Sequence, residues 1–116
     1  MSNFSWIQFL KHILIETEFI LKSSEGKSFD DLQSDEVWQR AIVRSIEIIG
    51  EASKKVDLEH RAKYPQVEWK RMAQMRDKLI HDYFGVDYEI VWDVIINRIP
   101  ELNDHLKQIV DSEPDN

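Results

Sequence analysis

A chain of 116 residues without a cysteine can bury a core unaided, but has no thiol for nucleophilic catalysis, disulfides or the common structural zinc sites. Its formal charge of −7 argues against sequence-blind nucleic-acid binding, which runs on phosphate neutralisation. No charged-then-apolar leader opens the chain and no apolar run approaches the roughly 20 residues of a membrane span. The expectation is a soluble, cytoplasmic protein with one domain over residues 1–110 and an acidic, disordered tail over 111–116.

The first predicted helix covers residues 4–22. Trp6, Leu10, Ile13 and Ile20 make one stripe, and Phe9, Leu14, Phe19 and Leu21 widen it, so this helix should meet more than one neighbour. Residues 23–27, with Gly26, form a loop. Ser28 and Asp31 have the spacing of a capping box with Asp in place of Glu, which predicts a short helical turn. Ser34 is the expected N-cap of a second long helix, with Asp35 and Glu36 suited to its positive end. Trp38, Ala41 or Ile42, Ile46, Ile49, Ala52 and Val56 keep helical spacing through it.

Residues 57–66 are polar, lose the periodicity and contain Pro65, which reads as a loop. A third long helix is expected from about Val67, with Trp69, Met72, Met75 or Arg76, and Leu79 on one side and Gly85 placed to end it. Asp87 is positioned to cap a fourth, carrying Val91, Val94, Ile95, Leu102, Leu106 and Ile109. Pro100 lacks a backbone donor, so a kink is expected between Ile96 and Pro100. No strand pattern, repeat or glycine-rich phosphate loop interrupts this series. The predicted fold class is all-α, an up-and-down bundle of about four long helices with a kinked last helix.

Charge is unevenly spread. Between Lys54 and Lys78 lie eight basic residues against four acids, leaving seven basic and eighteen acidic residues elsewhere. Lys70, Arg71 and Lys78 in this window are candidate contacts to RNA. No pair of Glu-x-x-His motifs of the di-iron kind is present, and His12, His60 and His105 lack partners at ligand spacing. No metal site and no cofactor is therefore expected.

The chemically capable side chains gather at the end of the third helix, where Arg76, His81 and Tyr83 stand among Asp77 and Asp82. A histidine can move a proton at neutral pH, and an arginine can grip a phosphate and stabilise growing negative charge. Together they suit metal-independent RNA cleavage by attack of a 2′-hydroxyl on the adjacent phosphate. On a straight helix Arg76 and His81 stand about 140° and ~7.5 Å apart. They converge only if the helix unwinds at its end or a second protomer completes the site. Asp77, four residues before His81, can orient the imidazole. From spacing alone, an Arg and a His near a helix end are more often solvated or capping residues.

The run Arg76-Asp77-Lys78-Leu79-Ile80-His81-Asp82-Tyr83 resembles the Arg-x4-His-x-Tyr signature of HEPN domains, including the polar residue after the arginine. Phe84-Gly85-Val86-Asp87, Glu89-Ile90-Val91-Trp92 and the stretch Ala41 to Lys54 with its Gly50-Glu51 step look like the HepT-like branch. The similarity spans nearly the whole chain. It implies a homodimeric, metal-independent endoribonuclease toxin of a toxin–antitoxin system, partnered by an MNT-type nucleotidyltransferase as antitoxin. Arg76 and His81 would be the catalytic pair in a cleft between protomers, acting on RNA of either the transfer or the messenger class. Tyr83 would be the acceptor of AMP, and AMPylation there would place a phosphate ester on the anion site and block RNA. The alternative from another class is a non-catalytic HEPN module that binds a nucleotidyltransferase without cleaving RNA.

Overall fold

The computed structural model describes residues 5–79 and 85–113. Among them the regular elements are helical: α1 (Trp6–Ser23), α2 (Phe29–Ser34), α3 (Glu36–Lys54), α4 (Leu58–Lys63), α5 (Trp69–Leu79), α6 (Tyr88–Asp93), a π-helical turn (Val94–Arg98) and α7 (Ile99–Ser112). With α6, the π turn and α7 running as one rod, the long helices are four, as the periodicity predicts.

α1 lies at the centre of the arrangement. It packs on α3 along one side and on α7 along another, which accounts for its broad apolar face. Leu10, Ile13 and Ile20 are sealed from solvent while Trp6, Phe9, Leu14 and Leu21 pack partly buried around them; Phe19 and Ile15 face outward. A buried polar tie sets the register of α1 on α7: the Thr17 hydroxyl donates to Asn103 Oδ1 at 2.7 Å, so neither group is left unpaired in the core. α3 then packs on α5. The helices follow the order α7–α1–α3–α5, and the seam between α5 and the α6–α7 rod is less closely packed. A cavity of about 130 Å³ lies there, floored by Met72, Met75, Val94 and Leu102.

The helix boundaries follow from their caps, and two differ from expectation. Ser28 and Asp31 form the full capping box that starts α2. α3 is capped by Asp35, whose carboxylate accepts from Trp38 N–H at 3.0 Å, and not by Ser34. Ser34 ends α2 instead, its hydroxyl donating back to the Asp30 carbonyl. Residues 58–63 are helical where a loop was expected. Asp57 caps them by accepting from His60 N–H, and one and a half turns are too short to show a period in sequence.

The bend near Pro100 takes the form of the π turn. Proline has no N–H to give the carbonyl four residues back, and its ring crowds that carbonyl. The chain widens instead, and Ile99 N–H reaches the Val94 carbonyl, five residues back. α7 continues to Ser112, two residues past the expected boundary of the domain, and Glu113 accepts from the Tyr64 hydroxyl and pairs with Lys63. No described helix is long and apolar enough to cross a membrane.

Candidate functional site

α5 is held by its apolar side: Trp69, Met72, Met75 and Leu79 are buried. This leaves the intervening residues on its flanks and outer face. Arg76 emerges on the flank facing α3, with its side chain 46% exposed. There its Nε donates to Glu47 Oε2 at 3.1 Å. The two helices face each other at Gly50, one turn along α3 from Glu47. A Cβ built at position 50 would stand 3.6 Å from the Met72 and Ala73 carbonyl oxygens and 3.9 Å from Arg76 Cβ. The α5 backbone therefore lies directly against α3 at this point, and the root of the Arg76 side chain lies with it.

Asp77 is largely exposed and forms an ion pair with Arg76, its Oδ1 3.7 Å from Nη1, too long for a hydrogen bond. His81 and Tyr83, together with Asp82, lie outside the described residues, so the expected orientation of His81 by Asp77 lies outside them too. The flanks of that stretch are tied together: Asp87 N–H donates to the Leu79 carbonyl at 2.7 Å. The Asp87 side chain meanwhile caps α6 by accepting from Glu89 and Ile90 N–H, as its position in the sequence predicts. One residue thus closes the last described turn of α5 and opens α6. Gly85, two positions before it, has φ of +100°, a conformation open to glycine at little cost.

The candidate RNA-contacting residues fall elsewhere. Lys70, Arg71 and Lys78 line a shallow depression with Arg61, Gln74, Leu58 and Pro65. On an ideal helix these three cations are displaced from Arg76 by about 120° to about 160°, so α5 presents two separate cationic faces. Arg71 is paired with Glu68 at 3.1 Å. Arg61 is engaged as a cap, donating to the Ser53 and Val56 carbonyls at 2.8 Å each and closing the end of α3. Lys70 and Lys78 have no ion pair among the described residues and are the cations of this strip available to an anion. No group of three metal-capable side chains occurs among the described residues.

Glu47 is the residue that sequence reasoning passed over. Its signal was indirect: a glycine inside a long helix carries a propensity penalty, and so marks a close approach by another helix. The polar residue one turn away is then the one poised to meet that helix.

A family model described as "Ribonuclease HepT-like" matches residues 13–109. The chain is 51% identical over 105 residues to a "Putative RNase" of Caldanaerobacter subterraneus subsp. tengcongensis, covering 90% of this chain and 94% of that one. It is 44% identical over 102 residues to a "Putative RNase" of Methanocaldococcus jannaschii, covering 88% and 84%. It is 38% identical over 101 residues to the "Probable ribonuclease HepT" of Thermococcus cleftensis, covering 87% and 92%. No solved structure matches the chain.

Proposed function

The chain belongs to the HepT-like ribonuclease family, and from that premise we propose that it is a metal-independent endoribonuclease, the toxin of a toxin–antitoxin pair. The observation that carries this reading is the family match across residues 13–109 with Arg76, His81 and Tyr83 intact at the signature positions. The exposed, anchored guanidinium of Arg76 beside α3 supports it.

The chemistry assigned to these residues is a transesterification. The 2′-oxygen of a ribose attacks the adjacent phosphorus, and the bond to the 5′-oxygen of the next nucleotide breaks. The products are a 2′,3′-cyclic phosphate and a free 5′-hydroxyl. One imidazole takes the proton from the 2′-hydroxyl, and a protonated imidazole gives one to the departing oxygen. Arg76 neutralises the charge that builds on the non-bridging oxygens. A homodimer that brings the α5 ends of two protomers into one cleft supplies two copies of His81, one for each transfer. A nucleotidyltransferase partner neutralises the enzyme by adding AMP to Tyr83, since the new phosphodiester then competes with RNA for the same arginine.

The test is to incubate unmodified protein, its intact mass verified, with total RNA in excess EDTA, beside His81→Ala and Arg76→Ala. Cleavage by the parent alone, leaving cyclic phosphate ends, is expected. A parent protein that leaves RNA intact, including tRNA of the source organism, while binding a nucleotidyltransferase tightly would replace this reading with that of a non-catalytic module.

A further inference from the structure

Glu47 has no part in the chemistry set out above, yet it is the group that Arg76 meets across the α3–α5 seam. An arginine on a helix flank ordinarily samples many rotamers, and a catalytic guanidinium loses effectiveness when it wanders. Here the side chain starts beside α3, its Cβ 3.9 Å from where a Cβ at position 50 would stand, and its Nε is engaged by Glu47 at 3.1 Å. Glu47 lies on α3 between the buried residues Ile46 and Ile49, so its backbone is set by the core packing of that helix.

We propose that Glu47 is a positioning residue for Arg76, setting the direction in which the guanidinium presents itself to a phosphate; this rests on the assignment of Arg76 to RNA cleavage. The geometry separates positioning from obstruction. A carboxylate that blocked the arginine would take its fork with two parallel bonds, as phosphate does. Glu47 takes the single Nε–H, which leaves the four N–H groups of the two terminal nitrogens for a ligand. Asp77, the other carboxylate paired with Arg76 among the described residues, stands 3.7 Å from Nη1, an ion pair without a hydrogen bond. With Arg76 about half exposed and the Glu47 side chain 27% exposed, water screens the carboxylate. The guanidinium therefore keeps much of its attraction for a phosphate.

The experiment measures kcat and KM on a defined oligoribonucleotide for the unmodified parent, Glu47→Ala, Glu47→Gln, Arg76→Ala and the Glu47→Ala/Arg76→Ala double variant. A melting curve is recorded for each. Glu47→Ala should lower kcat by about 10-fold to about 100-fold, the loss expected when a catalytic group is misplaced by about 1 Å, with little change in KM. Glu47→Gln should recover most of that loss, because its amide oxygen still accepts from Nε–H. The double variant should be no slower than Arg76→Ala. If Arg76→Ala is inactive while Glu47→Ala cleaves as well as the parent, or faster, the positioning role is wrong and the role of Arg76 stands. A loss that follows a lowered melting temperature and is not restored by glutamine overturns it as well. If Arg76→Ala itself cleaves normally, the underlying reading fails, and this proposal with it.

Discussion

Gly50 concentrates in one residue the link between packing and site. Inside a 19-residue helix, glycine costs about 1 kcal/mol relative to alanine, and here it faces the backbone of α5. The space is nonetheless not filled to contact. A Cβ would sit 3.6 Å from its nearest neighbours, an ordinary van der Waals distance. Gly50→Ala should therefore fold with unchanged geometry and gain up to about 1 kcal/mol from helix propensity. Gly50→Leu has nowhere to place its branch and should lose about 1–3 kcal/mol through overpacking. It should also push α5 outward, separate Arg76 from Glu47 and depress cleavage beyond what its stability predicts. Urea unfolding beside single-turnover cleavage checks this; a Leu variant with parental activity would show that close approach at Gly50 is irrelevant to the site.

At the scale of elements, the short helices are held by carboxylate caps, and the caps make their stability depend on pH. Asp57 starts α4 by accepting the His60 backbone N–H at 2.9 Å and lies 2.7 Å from His60 Nδ1; the backbone bond, then the ring, hold its carboxyl below the ordinary 3.8. Asp31 is lowered in the same direction by the backbone and side-chain bonds of Ser28. A group whose value falls on folding adds stability above its unfolded value and loses it as pH drops through the folded one. Both caps should therefore be at full strength above about pH 5 and fail below the ordinary carboxylate value. Asparagine caps almost as well as aspartate but does not titrate, so Asp57→Asn should change stability little at pH 7 and flatten the fall between pH 5 and pH 3. Chemical unfolding at both pH values measures this, and parallel curves for the two proteins would count against the cap as a source of the acid lability.

The same caps mark what could be read before folding and what could not. The Ser28–Asp31 box, the Asp87 cap and the disturbance before Pro100 were legible because each is local: partner and signal lie within a few residues. α4 was missed because its capping aspartate starts too short a helix to show a period. Ser34 and Asp35 are adjacent cap formers, and the choice between them depended on where α2 stopped. The site divides along the same line. Arg76 stood out by its spacing to His81 and Tyr83, whereas Glu47, 29 positions away in sequence, becomes its neighbour only once α3 and α5 are paired. The separation of Lys70, Arg71 and Lys78 from Arg76, by contrast, follows from helical spacing alone once α5 is one regular helix.

Across the whole molecule, a charge of −7 must be reconciled with a polyanionic substrate. The long-range field repels RNA, so attraction has to come from short-range cationic surfaces, and α5 carries two, on different sides. A scissile phosphate held at Arg76 lies on the α3 side. Lys70 and Lys78 can touch only a strand long enough to pass over or around α5. The two faces should therefore separate by substrate length. Lys70→Gln/Lys78→Gln should weaken binding of a long RNA to a cleavage-dead His81→Ala background. It should also reduce the slope of log affinity against log salt by about 0.7 for each phosphate of the single strand that the lysines cease to neutralise, while the cleavage-competent pair variant turns over a dinucleotide at the parental rate. Arg76→Ala should suppress turnover of both substrates. Fluorescence anisotropy across a salt series, with dinucleotide turnover alongside, makes the comparison. Equal loss on long and short substrates would place the lysines at the scissile phosphate and mean that the protomer is arranged around its RNA differently from the separation seen on α5. No effect on either would leave Arg76 as the cation whose attraction must overcome the acidic field.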